Sequence, residues 1–207
     1  YLHSDGDAAE IRGGGGRLAW SAPAPDGPPE SYVFDPRDPV PARGAFDRYQ
    51  PAGEPRPDVL VYTTPVATEP LAMLGPVDLV LHASTSALDT DFVADLYDVD
   101  PAGRSLRIVF RTAVLRARYR EGYERQVLMT PHAPTELRLR FFDVGHVLLP
   151  GHRLRLEVAS STPGINPNQG TGDDVGTDTR WVRAEQRIFQ DEARPSRLEL
   201  HVIELAP

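Results

Sequence analysis

The sequence predicts an all-β protein, a two-sheet β-sandwich, and three observations carry that expectation. Leu137–Phe141, Leu154–Val158 and Leu198–Val202 each alternate strictly between apolar and polar residues. Turns rich in Gly, Pro and Asp punctuate the chain from end to end. No segment reads convincingly as an amphipathic helix. Period-two alternation puts all apolar side chains of a strand on one face, and such half-buried strands are stabilised when two antiparallel sheets pack face to face.

A length of 207 residues fits one domain of this class. Such a domain buries roughly 70% of its unfolded surface, enough for a core without covalent staples. Residues 1–57 read as a proline- and glycine-rich arm packed on the sandwich. Gly13 to Gly16 and prolines 23, 25, 28, 29, 36, 39 and 41 interrupt regular structure there. Leu18, Trp20, Tyr32, Val33, Phe34 and Phe46 supply apolar anchors that a disordered tail lacks. Residues 58–207 form the sandwich, and the two parts make one domain.

Val59–Thr63 is a short strand ended by Pro65. In the next, Val77, Leu79, Leu81 and Ala83 share a face. Phe92, Ala94 and Leu96 point inward from a third strand, leaving Asp91, Val93 and Asp95 on its other face. Asp100-Pro101-Ala102-Gly103 is a turn, with proline fixing φ at its second position. A long strand follows over about Ser105 to Arg118, bent or bulged midway. Trp181–Phe189 is read as a strand, although Arg180, Arg183 and Arg187 also fit a helical spacing.

The chain has no cysteine, which removes disulfides and thiolate metal sites and suits a reducing cytosol without proving it. Its 22 basic residues are all arginine and face 30 acidic ones, for a formal charge of −8. That balance argues against a nucleic-acid partner, whose phosphates need a basic surface. The arginines between Arg104 and Arg125 alternate with apolar residues and read as the wet face of a strand. No run is long and apolar enough to be a membrane-spanning helix. The first residue is Tyr rather than Met, so the natural polypeptide is expected to begin upstream.

None of the nine serines lies in a G-x-S-x-G turn, and Ser160-Ser161 lacks flanking glycines. His146 and His152 flank a turn that brings them close, but no third metal donor is indicated; His152 is expected to hydrogen-bond locally. The loop Asn166–Asp174 alternates oxygen donors with glycines without the order of an EF-hand, and reads as an Asx/Gly turn rather than a calcium site. Asp91 is expected to be a hydrogen-bonded structural carboxylate, Asp98 and Asp100 turn and solvent residues. No cofactor, metal site or exposed aromatic platform is expected.

Several segments carry a resemblance. Tyr32–Pro41 (YVFDPRDPVP), Arg56–Pro65 (RPDVLVYTTP), Gly75-Pro76-Val77 with Ser84–Phe92 (STSALDTDF), Arg116–Glu121 (RARYRE) and Pro150–Val158 (PGHRLRLEV) keep a common order and spacing. Together they resemble the C-terminal domain of the cocaine esterase/NonD hydrolase family, which includes X-Pro dipeptidyl-peptidases and α-amino-acid ester hydrolases. The resemblance covers essentially the whole chain and implies a jelly-roll sandwich similar to galactose-binding domains. It further implies that nucleophile, oxyanion hole and triad lie in a preceding α/β-hydrolase domain of the same polypeptide, so no catalytic residue is carried over here. The parent would perform acyl transfer through a serine, as an acyl esterase or an X-Pro dipeptidyl-peptidase. In that family a loop after the D-P-V-P arm reaches the acyl pocket; the matching Arg43–Asp47 is shorter, and Phe46 and Asp47 are its pocket-rim candidates. Ile165-Asn166-Pro167 departs from the family pattern, while Asn168, Thr171 and Gly172 match it. An independent carbohydrate-binding module is the alternative, and self-association is left open.

Overall fold

The computed structural model describes residues 1–9, 15–41, 50–51 and 56–204. Fifteen strands and one 3-10 turn (Ala117–Tyr119) are found among them. The strands are β1 (Leu2–His3), β2 (Gly16–Leu18), β3 (Glu30–Phe34), β4 (Gln50–Pro51), β5 (Leu60–Thr63), β6 (Leu71–Thr85), β7 (Asp91–Val99) and β8 (Arg104–Arg107). They continue with β9 (Ala113–Arg116), β10 (Thr135–Arg140), β11 (Val144–Leu148), β12 (Arg153–Ala159), β13 (Ala184–Asp191), β14 (Arg194–Pro195) and β15 (Arg197–Ile203).

Two sheets form the sandwich that the alternation predicts. The first runs β1-β2-β5-β12-β7-β8-β4, with β9 also on β7; the second runs β10-β6-β13-β14, with β11 and β15 on β6 and β3 on β13. Pairing is antiparallel except between β2 and β5. The 15-residue β6 is the spine of the second sheet. It pairs with β10 and β11 along one edge and with β15 and β13 along the other. One strand serves four partners because its 15 residues give room for two along each edge, and it bulges at Leu74-Gly75-Pro76, opposite the register shift between Leu200 and Val202. Gly75 adopts φ +112°, which strongly favours glycine, and Pro76 offers no amide to the ladder.

Most residues read as inward-facing fill the core: Phe92, Ala94 and Leu96, and Leu154, Leu156 and Val158 come from the first sheet; Val77, Leu79, Leu81 and Ala83, and Leu137 and Leu139 come from the second. Leu60, Tyr62 and Ile188 join them, whereas Leu198 and Leu200 are only partly buried and Val202 is exposed. No helix among the described residues is long and apolar enough to cross a membrane.

Sequence and structure differ in several places. The long strand expected over Ser105–Arg118 is interrupted: β8 pairs with Tyr97–Val99 and β9 with Asp91–Ala94, while between them Ile108 N still donates to Leu96 O and Val109 is buried, leaving Phe110 and Arg111 exposed. Segment 181–189 resolves as a strand that starts later, at Ala184. β11 was not anticipated, because Gly145 and the half-buried His146 and Val147 blur its alternation. Short strands β1 to β3, within the stretch read as an arm, pair into both sheets.

Candidate functional site

The densest polar constellation lies at the end of the sandwich where β6, β9 and β12 finish and β7 begins. Asp91 opens β7 directly opposite Arg116 on β9. That register delivers a two-pronged ion pair, with Arg116 Nε and Nη2 each 2.9 Å from the Asp91 carboxylate. The chain then tightens into the 3-10 turn, which turns Arg118 back toward Asp89. Asp89 is fully buried and accepts from the Arg118 backbone N–H at 2.9 Å and from its Nε at 2.7 Å. Asn168 closes the network, its Nδ2 reaching Asp89 at 2.5 Å and Asp91 at 3.1 Å. Its Oδ1 accepts from Gly170 N at 3.0 Å, the Asx turn expected of this loop. Arg118 also donates to Gln126 and to the Asp173 carbonyl.

Buried carboxylates are tolerable because two guanidinium groups and an amide neutralise and hydrogen-bond them. Their acceptor sites are occupied by arginine and asparagine donors, so the cluster is suited to pinning loops rather than to moving protons. This corrects the reading of the Arg104–Arg125 stretch as a wet face: Arg118 is buried and Arg116 half-buried, although Arg104, Arg107, Arg111 and Arg125 are exposed or nearly so. Alternation could not reveal it, since the strand ends at Arg116 and the partners lie far along the chain.

A second cluster sits toward the opposite end. His146 Nε2 and His152 Nδ1 lie 2.8 and 2.7 Å from the two oxygens of Asp98. The Asp98 carboxylate on β7 thus clasps β11 of the facing sheet and the turn before β12. Asp98 is therefore a buried structural carboxylate, not the turn or solvent residue expected, and the bond of His152 spans 54 positions rather than being local. Asp100 is the turn residue expected, accepting from the N–H groups of Ala102 and Arg104 at 2.9 Å, although its side chain is covered rather than in solvent. No group of three or more His, Asp or Glu arranged to hold a metal occurs among the described residues.

Asp95 faces away from the core, directly opposite Glu157 of β12. Burial, with a contribution from Glu157, pushes its carboxyl up to about 6 against the opposing pull of Arg107 and the Thr112 hydroxyl. Thr112 Oγ1 donates to it at 3.0 Å, and Arg107 Nε lies 3.3 Å away.

Ser160 shares a hydrogen bond of 2.9 Å with the Tyr32 hydroxyl, and Ser161 accepts from Val40 N at 2.9 Å. No serine hydroxyl is hydrogen-bonded to a histidine ring among the described residues. Phe46 and Asp47, the pocket-rim candidates, lie outside the described residues. An exposed aromatic pair is present, although not a stacking platform. Phe110 and Phe142 meet edge to face, 6.0 Å apart at 85°. Perpendicular rings present no shared flat face of the kind on which a sugar stacks.

Fold and clusters together define a two-sheet β-sandwich domain pinned by buried ion pairs. Residues 15–199 match the family of the X-Pro dipeptidyl-peptidase C-terminal non-catalytic domain. The chain belongs to that family. It is 34% identical over 215 residues to the cocaine esterase of Rhodococcus sp. (strain MB1 Bresler), covering 98% of this chain and 37% of the esterase. Among solved structures it resembles an aminopeptidase from the marine sediment archaeon Thaumarchaeota archaeon, with TM-score 0.83 and 28% identity over 99% of this chain and 37% of that one. An α-amino acid ester hydrolase gives TM-score 0.83 and 29% identity over 90% of this chain and 34% of its own. The chain therefore spans only about a third of the length of these relatives.

Proposed function

We propose that this domain is the accessory C-terminal part of an α/β-hydrolase-type serine hydrolase, an acyl esterase or X-Pro dipeptidyl-peptidase. It supports the catalytic domain and contributes to the wall of the substrate pocket. The observation that carries the reading is the family membership, joined to relatives of which the equivalent stretch is 37% or less. The polar chemistry supports it, because the buried acids Asp89, Asp91 and Asp98 bind arginine, asparagine and histidine within the domain. Phe46 and Asp47 follow the arm that Ser161 anchors at Val40, and in this reading they line the acyl side of the pocket.

A fluorophosphonate probe for activated serines tests the assignment. Labelling is expected in the longer natural polypeptide and not in this 207-residue chain. Labelling of the short chain would refute a non-catalytic role. Failure of both forms to label would remove the serine-hydrolase parent.

A further inference from the structure

Two arginines are buried among the described residues, Arg118 and Arg155, and the fold treats them differently. Arg118 gives Nε to Asp89, Nη1 to Gln126 and Nη2 to the Asp173 carbonyl. Arg155, on β12 and only 8% exposed, makes one hydrogen bond among the described residues, from Nη1 to the Ser105 hydroxyl of β8 at 3.1 Å. Its Nε is closed to water and meets no acceptor. No carboxylate among the described residues forms an ion pair with it. A single neutral hydroxyl does not offset the cost of taking a guanidinium out of water.

The nitrogen left without an acceptor belongs to the edge by which this protein's arginines grip acids. Arg37, Arg56, Arg116 and Arg140 each present Nε and Nη2 to one carboxylate, that of Asp35, Asp58, Asp91 and Asp78 in turn. In Arg155 the same edge meets none. The acids nearest along the sheet do not supply one. Asp95 is engaged by Arg107 and Thr112, and Glu157 stands one pleat further along β12, opposite Asp95.

The surroundings are those of a recess. Leu154 and Leu156 face the core, so Arg155 rises from the opposite face of β12, level with Tyr97 of β7 on one side and Thr63 of β5 on the other. Tyr97 and Ser105 are themselves buried. Ser105 holds Nη1 and so fixes the direction in which the Nε/Nη2 edge points. Arg153, two residues back on the same face, is exposed and adds a second positive charge nearby.

We propose that the Nε/Nη2 edge of Arg155 is a binding site for the carboxylate of a small acid. The guanidinium fork matches the two oxygens of a carboxylate, and such a bidentate, charge-assisted pair gains strength where water is excluded. Because Ser105 already orients the fork, little ordering is left for binding to impose. The narrow recess favours a small acid over a bulky one. The site stands apart from the function proposed above.

Titration calorimetry of acetate, benzoate and inorganic phosphate into the longer polypeptide, at constant ionic strength, tests the proposal. Acetate or benzoate is expected to bind, and Arg155→Lys, which keeps the charge but loses the fork, is expected to weaken that binding about tenfold or more, the scale of one hydrogen bond to a charged group. Arg153→Lys should leave it nearly unchanged, because a positive charge remains on the open face. Thermal melts add a second reading: benzoate should raise the melting temperature of the unaltered protein more than that of folded Arg155→Lys. Equal binding or equal rises in the two proteins would place the acid elsewhere and overturn the proposal. Phosphate bound through Arg155 in place of both acids would overturn the choice of ligand. An Asp or Glu side chain found on Nε and Nη2 in a crystal structure of the longer polypeptide would assign the edge to an internal ion pair and overturn a small-molecule site.

Discussion

Arg118 gives both its backbone N–H and its Nε to the fully buried carboxylate of Asp89. Main chain and side chain of one residue thereby converge on one acid, fixing where the chain leaves β9. Removing one partner strands the other's charge in a site closed to water, which costs far more than the pair's net contribution.

Arg118→Met is accordingly expected to lower stability by about 3–5 kcal/mol, the usual range for a broken buried pair. Adding Asp89→Asn to that variant should recover part of the loss, since the uncompensated charge is gone. Urea unfolding of the three variants checks this. Additive losses would show that the two side chains act independently.

Asp95 and Asp78 predict opposite pH responses. The folded-state carboxyl of Asp95 lies up near 6 from an ordinary 3.8. The folded domain therefore holds this proton more tightly than the unfolded chain. The contribution is complete below about 3.8, declines as pH rises and is lost above about 6, where an ionised carboxylate faces Glu157. Asp95→Asn should raise stability at pH 7.5 by up to about 2 kcal/mol and flatten the profile between pH 4 and 7. Asp78 is held below its ordinary value by Arg140, with Arg138 assisting. Its contribution is present above 3.8 and lost as pH falls through the folded value, so Asp78→Asn should flatten only the acid limb. Thermal melts across the pH range separate the two effects.

The clasp of Asp98 on His146 and His152 joins the two sheets. Asp98→Ala is expected to cost more than either His146→Ala or His152→Ala, since it orphans both rings. A double-mutant cycle between positions 98 and 146 should return a coupling of about 1–2 kcal/mol, the scale of a charge-assisted hydrogen bond. Zero coupling would mean that the clasp does not hold the sheets.

Phe46→Ala in the longer polypeptide is expected to shift preference among acyl groups of different size. Unchanged ratios of kcat/KM across an acyl series would remove Phe46 from the pocket wall.

The sandwich itself was legible in the sequence. Leu137–Phe141 and Leu154–Val158 declare their buried faces by alternation alone, because a pleated strand must send neighbouring side chains to opposite sides, whereas Leu198–Val202 alternates as strictly yet leaves Leu198 and Leu200 half-buried and Val202 exposed. Chain order also sufficed for the Asp100 turn and the Asx turn at Asn168, since each closes within a few residues. Tertiary structure decided the rest. Arg118 looked like one more exposed arginine until Asp89, 29 positions away, was placed against it. Asp98 looked like a turn residue until two histidines 48 and 54 positions away converged on it. Gly170 and Gly172 read as loop punctuation until their positive φ and the close approach of Val182 and Leu128 showed why glycine is favoured at both. Local pattern determines which face of an element avoids water; a buried charge is stabilised only by the particular donors that the fold brings to it.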